Sequence, residues 1–138
     1  VVDSQGRPID QAEVEIWQCD ALAHYTHPRV TAEPGRFDPG FQGFGSLRTD
    51  AQGRYRFRTI RPAPYPGRTP HIHVLLRHPA WGEHVSQLFV AGEPGNERDG
   101  LYRRLSAADR AATEFSLQRA PAGSEVVWLA ERTLVVSA

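Results

Sequence analysis

The sequence predicts an all-β fold: an antiparallel β-sandwich with long loops and one short helix, forming a single domain over residues 1–138. Three observations predict it. Apolar and polar residues alternate with period two in several short segments, the pattern of half-buried strands. Gly and Pro, 12 and 11 in number, fall between those segments and would break any longer element. Only one stretch carries a helix-start signal.

Val1-Val2 reads as part of a strand and is not preceded by an initiator Met, an opening that admits further residues before it. Asp3-Ser-Gln-Gly6 is a turn, and residues 12–17 (Ala-Glu-Val-Glu-Ile-Trp) alternate as a strand. Residues 19–47 are expected to be irregular, because Pro28, Pro34-Gly35, Pro39-Gly40, Gly43 and Gly45 interrupt them. A loop of that length in a small domain is usually functional, and this one is expected to form part of a pocket wall.

Residues 49–53 (Thr-Asp-Ala-Gln-Gly) form the next turn and lead into a second alternating strand, Arg54 to Ile60. Pro62, Pro64 and Pro66 make a stiff connector to a strand at about 70–77, and residues 85–90 (Val-Ser-Gln-Leu-Phe-Val) give another. Residues 91–100 are a polar loop. Ser106-Ala-Ala-Asp109 starts the helix, with Ser106 as N-cap and Asp109 in the first turn. Glu114–Leu117 and Glu125–Ser137 are the last strands, the second carrying Val126, Val127, Trp128, Leu134, Val135 and Val136.

Composition excludes several functions. Formal net charge is zero and no basic stripe interleaves with aromatics, so nucleic-acid binding is not expected. All 16 basic residues are Arg, which leaves no lysine for Schiff-base or P-loop chemistry. The one cysteine, Cys19, can form no intrachain disulfide and fits a reducing, cytoplasmic compartment. No apolar run approaches the roughly 20 residues of a membrane span, and no leader is visible.

The chemistry concentrates at residues 65–73 (Tyr-Pro-Gly-Arg-Thr-Pro-His-Ile-His). A strand sends His71 and His73 to one face with Cα atoms roughly 6.5–7 Å apart, which suits two ligands of one metal ion. A solvent-facing pair is the simpler alternative. Tyr65, in the rigid Pro64-Tyr-Pro66 connector, either packs locally or supplies a phenol, and Tyr25, in His24-Tyr-Thr-His27, either belongs to a surface patch or does the same. Tyr55 and Tyr102 are expected to pack, and His24, His27, His78 and His84 to face solvent. If two phenols and two imidazoles share an ion, ferric iron is favoured over zinc, because phenolate is a hard anionic donor and imidazole suits iron as well as zinc, copper and nickel.

These residues resemble the intradiol ring-cleavage dioxygenases. The matching segments are Gly-Arg-Pro-Ile to Ala-Glu-Val-Glu-Ile-Trp-Gln (6–18), His-Tyr-Thr-His (24–27), Thr-Asp-Ala-Gln-Gly-Arg-Tyr-Arg-Phe-Arg-Thr-Ile-Arg-Pro (49–62), Pro-Tyr-Pro (64–66), Arg-Thr-Pro-His-Ile-His (68–73) and Ser-Gln-Leu-Phe-Val (86–90). They occur in family order across about residues 1–92.

The resemblance implies a non-haem Fe(III) held by Tyr25, Tyr65, His71 and His73. It implies that Arg68 supports a bound catechol, that Gln87 borders it, and that Tyr25 is the ligand that detaches and takes part in catalysis. It further implies a β-sandwich core, a catechol-type substrate cleaved between its hydroxyls with O2 to a muconate-type dicarboxylate, and an assembly of like or related subunits. Two departures stand out. No aromatic follows Pro66, where Gly67 is expected to open or reshape the pocket, and the N-terminal helical region of catechol-type members has no counterpart. The chain is therefore more similar to protocatechuate-type or small stand-alone members. Two other classes compete: a transthyretin-like or regulatory β-sandwich module, which shares the turns without needing four ligands, and a metal enzyme of another reaction type.

Overall fold

The computed structural model describes residues 1–27 and 37–137; the Pro28 and Pro34-Gly35 breakers lie outside them. The chain is mostly strands with one short helix, as the alternation predicts. β1 is Val2–Asp3, β2 Glu13–Trp17, β3 Phe44–Arg48, β4 His71–His78 and β5 Gly82–Val90. Two 3-10 turns follow, Asn96–Arg98 and Tyr102–Arg104, then α1, Ala107–Thr113. β6 (Glu114–Phe115), β7 (Gln118–Arg119), β8 (Trp128–Leu129) and β9 (Val135–Val136) complete the chain. No helix among the described residues is long and apolar enough to cross a membrane.

The main sheet has the order β3-β2-β4-β5-β6. Its central ladders are antiparallel, with Trp17 opposite His73, Ile16 opposite Val74, and His73 opposite Gln87. One face carries Val14, Ile16, Ile72, Val74, Leu76, Leu88 and Val90, which bury against Val1, Phe115, Leu134 and Val136, with Tyr55 and Phe57 packed alongside. Fully burying one such aliphatic side chain is worth about 1.5–3 kcal/mol. A one-residue slip of β4 would expose Ile72, Val74 and Leu76 and drive both histidines into the core. The core thus locks the face on which His71 and His73 stand.

α1 begins as expected. The Ser106 hydroxyl accepts from the Asp109 N–H and the Asp109 carboxylate accepts from the Ser106 N–H, a reciprocal cap.

The structure corrects four expectations. Pairing is not wholly antiparallel: β5 runs parallel to β6 and β1 parallel to β9. The cause at β6 is the crossover through α1, which returns the chain in the direction of β5. Residues 19–47 are not wholly irregular, because β3 pairs with β2 from Trp17 opposite Phe44 to Glu13 opposite Arg48. Gly45 belongs to that strand because the Phe57 ring covers its missing side chain, and a Cβ there would stand 3.4 Å from the ring. Arg54–Ile60 forms no strand; its alternation instead presses Tyr55 and Phe57 onto the core while Arg54, Arg56 and Arg58 face solvent. Glu125–Ser137 is two short strands, since Val127, Trp128 and Leu129 are exposed whereas Leu134 and Val136 enter the core.

Candidate metal centre

Behind the core face, β4 presents His71 and His73 on the opposite side of the sheet. His71 is 1% exposed. Its Nδ1–H donates to the Thr69 carbonyl at 2.6 Å, which leaves the Nε2 lone pair directed outward. The His73 ring is held differently. Trp17, across the ladder on β2, lies parallel to it with centroids 4.8 Å apart.

Tyr65 reaches the same point through a tight turn. The Tyr65 N–H donates to the Arg68 carbonyl at 3.2 Å and the Arg68 N–H to the Tyr65 carbonyl at 2.8 Å. With Pro66 and Gly67 (φ 79°) in the central positions this is a type II turn, which demands a positive φ at its third residue. Gly67, read in the sequence as a departure that opens or reshapes the pocket, also sets Tyr65 and Arg68 side by side.

Tyr25 arrives from the long loop. The buried Asp20 carboxylate organises that loop, accepting from the Leu22 N–H at 2.8 Å, the His24 N–H at 2.9 Å and the Asp38 N–H at 2.8 Å. Thr26 adds a hydroxyl bond to the Gln42 carbonyl at 2.9 Å.

These elements bring four donor atoms together. The Tyr25 hydroxyl is 3.3 Å from that of Tyr65, 3.2 Å from His71 Nε2 and 3.3 Å from His73 Nε2. The Tyr65 hydroxyl is 3.4 Å from His71 Nε2. Donors about 2.0–2.1 Å from a common centre stand about 3.3 Å apart at tetrahedral angles, so the set fits one metal ion. Among the described residues no group of three or more His, Cys, Asp or Glu could hold a metal, so the two phenols are what make this donor set.

The electrostatics agree with a cation-seeking site. Burial, then the hydrogen bond with Tyr65, pushes the Tyr25 phenol far above its usual range. Burial lowers His71, and burial with the neighbouring His71, Arg68 and His27 lowers His73 to about 3. Neutral imidazoles are ready ligands, and a cation would compensate the phenol for its lost proton.

Arg68 and Gln87 stand beside this set. Arg68 donates through Nη2 to the Gln87 side-chain oxygen and through Nη1 to the Tyr65 hydroxyl at 3.5 Å. Its Nε–H donates at 2.9 Å to Asp99, whose side chain is wholly buried. All six residues singled out in the sequence therefore share one neighbourhood.

Sequence reasoning missed Trp17, Thr69, Asp99 and Asp20, which hold the six in place. It also misplaced His27, which is 3% exposed. The other face of Trp17 stacks on His27 at 4.5 Å, and Glu15 Oε1 lies 3.0 Å from its Nε2, so β2 offers this ring both apolar cover and a polar partner. His24 and His78 are half-buried, beside Asp20 and Trp81 respectively, and His84 is exposed as expected. Tyr102 packs against Phe89 with its hydroxyl donating to Glu114, and Tyr55 donates to the Arg132 carbonyl at 2.6 Å.

A family model described as Dioxygenase matches residues 1–114. The chain is 37% identical over 133 residues to the protocatechuate 3,4-dioxygenase beta chain of Burkholderia cepacia, covering 89% of this chain and 56% of that one. It is 33% identical over 116 residues to a hydroxyquinol 1,2-dioxygenase of Rhodococcus opacus, covering 71% of this chain and 36% of that one. Among solved structures, the intradiol ring-cleavage dioxygenase from Tetranychus urticae superposes with a TM-score of 0.74 at 25% identity, covering 99% of this chain and 76% of that one. The chain thus spans about half, or less, of the length of these curated relatives.

Proposed function

We propose a function from one premise: this chain belongs to the intradiol ring-cleavage dioxygenase family. It cleaves a catechol-type ring between its two hydroxyls, consuming O2 and yielding a muconate-type dicarboxylate. The observation that carries this reading is the convergence of the Tyr25, Tyr65, His71 and His73 donor atoms beside Arg68. Those four residues hold a non-haem ferric ion. Bound there, ferric iron would draw electron density from a catecholate and so let the ring react with dioxygen.

The chain's own residues supply the rest. Tyr25 is the base. Its burial favours the protonated phenol, so a phenolate at this position readily takes a proton from an incoming hydroxyl. Arg68 is a fixed cation next to the site, and it stabilises negative charge that develops on the substrate. Such a preorganised charge in a water-poor site lowers a barrier by on the order of a few kcal/mol. Gln87, opposite His73 on β5, holds the Arg68 guanidinium from one side and borders the substrate.

The β1–β9 pair covers the core face of the five-stranded sheet as the second layer of a sandwich, the single buried Cys19 suits a cytoplasmic setting, and the chain works in an assembly of like or related subunits. The beta-chain naming of the Burkholderia relative supports the last point.

The test is iron analysis with a visible spectrum, repeated on addition of catechol, protocatechuate and hydroxyquinol. Ferric tyrosinate absorbs visible light, so the iron-loaded protein should be reddish-brown and its band should move with the catechol it binds. An iron-replete but colourless protein would remove both tyrosines from the ligand set. A coloured protein that left every catechol intact under O2 would favour a metal enzyme of another reaction type.

A further inference from the structure

We infer that Asp99 is a positioning residue for this site: one buried carboxylate both aims Arg68 and holds the backbone that orients His71. The inference rests on the reading above. Asp99 lies between the two 3-10 turns after β5, and its side chain is 0% exposed. Its Oδ2 accepts from the Arg68 Nε–H at 2.9 Å and from the Thr69 N–H at 2.9 Å. Its Oδ1 accepts from the Leu101 N–H at 2.8 Å and the Tyr102 N–H at 3.2 Å.

Two consequences follow for the site. The first concerns Arg68. Its Nε edge is taken by Asp99, which leaves Nη1 and Nη2 to face Tyr65 and Gln87. Asp99 thereby selects the edge of the guanidinium turned to the substrate. The second concerns His71. The residue whose N–H Asp99 holds, Thr69, gives its carbonyl to His71 Nδ1 and its hydroxyl to Asn96 Oδ1 at 2.8 Å. Asn96 is itself tied to the Val90 carbonyl at 3.0 Å. Partners of this kind behind a metal-binding imidazole fix its tautomer and ring angle.

Burial works against a charge at Asp99, but the N–H of Thr69, the Arg68 guanidinium and the N–H groups of Tyr102 and Leu101 outweigh it and hold the carboxyl below its usual range. An amide cannot replace it. Asparagine presents one acceptor oxygen and one NH2 to four N–H donors, so whichever way it turns, two donors meet another donor.

The experiment uses iron-loaded wild type, Asp99→Asn, Arg68→Ala, the double variant, and Leu134→Ala as a core control away from the site. Catechol affinity is titrated without oxygen from the visible band, and iron release to a chelator is timed. Asp99→Asn should weaken catechol and speed iron release, each about 10–100-fold. Arg68→Ala should weaken catechol and leave iron release at the wild-type rate. The double variant should bind catechol no more weakly than Arg68→Ala, because the two losses are one loss. Leu134→Ala should lower the melting temperature and change neither readout. Asp99→Asn behaving like Leu134→Ala on both readouts would reduce Asp99 to a scaffold residue, as would losses that simply add to those of Arg68→Ala.

Should Asp99→Asn fail to fold, Gly95→Ala carries the test. A Cβ there would lie 2.9 Å from Thr69 Oγ1 and 3.4 Å from its Cβ, and so would shift the side chain of the residue whose carbonyl holds His71. Faster iron release in Gly95→Ala supports the inference, and an unchanged rate overturns it. Wild type that holds no iron, or none that colours it, would sink the functional reading with the inference, and that outcome needs no variant to be seen.

Discussion

The indole of Trp17 lies parallel to the imidazole of His73, with centroids 4.8 Å apart and planes inclined by 5°. The two residues are direct partners across the β2–β4 ladder. Because His27 stacks on the far side of Trp17, the His73 ring rests on a layered aromatic support. Trp17→Leu should cost about 2–3 kcal/mol in urea unfolding, less than the roughly 3–5 kcal/mol of full truncation, since leucine refills part of the space. The same variant should release iron faster than wild type, because His73 loses the surface that limits its rotation. Unfolding midpoints and chelator kinetics measure the two effects separately.

The four donors differ in what their loss removes. His71→Ala should lose stoichiometric iron, because three remaining ligands hold the ion poorly and no donor replaces a buried imidazole that is 1% exposed. Tyr25→Phe should be milder for iron and severe for turnover. It keeps the ring contacts with Tyr65 and His73 but removes the hydroxyl that touches the other three donors. Metal analysis with the visible spectrum checks both. Full iron content in His71→Ala would contradict the ligand assignment.

How much of this was legible in the sequence depended on range. The period of two put His71 and His73 on one face, and the structure has them there because Ile72, Val74 and Leu76 claim the other. Pro66 was read as part of a stiff connector and Gly67 as a departure that opens or reshapes the pocket, so the turn that sets Tyr65 beside Arg68 went unread. Asp99 was unreadable. A carboxylate in a polar loop looks solvated, and only the folded chain brings the N–H groups of Thr69, Leu101 and Tyr102 around it. His27 failed for the same reason, since its cover comes from Trp17 and Glu15 on another element. β3 was hidden because Gly43 and Gly45 read as breakers, whereas the glycine inside the strand makes room for Phe57.

Arg68→Ala separates support of the substrate from support of the fold. Breaking a buried ion pair costs about 3–5 kcal/mol when one charge is left alone. Asp99 would keep three backbone N–H partners, so the penalty should sit at or below the lower end of that range. The variant should therefore fold, bind iron and keep its colour while losing most turnover. Unchanged turnover would take Arg68 out of the mechanism.

The metal-free protein should lose stability as pH falls from about 6.5 toward 4. His73 is lowered to about 3 and His71 is lowered as well, from an ordinary value of 6.5. Between those limits the unfolded chain binds protons that the folded chain refuses, so unfolding is favoured as pH drops. One such proton is worth at most about 1.4 kcal/mol per pH unit, and the half-buried His73 contributes less than that ceiling. Asp99 acts in the same direction but later. Its folded value is depressed, so its contribution is intact above the ordinary 3.8 and is lost only as pH falls below it. The histidines therefore govern the upper part of the acid limb. Urea unfolding of the metal-free wild type at about pH 7 and about pH 5 should show the loss, and His73→Asn should reduce it. A flat profile over that window would mean that the two imidazoles titrate normally in the folded chain.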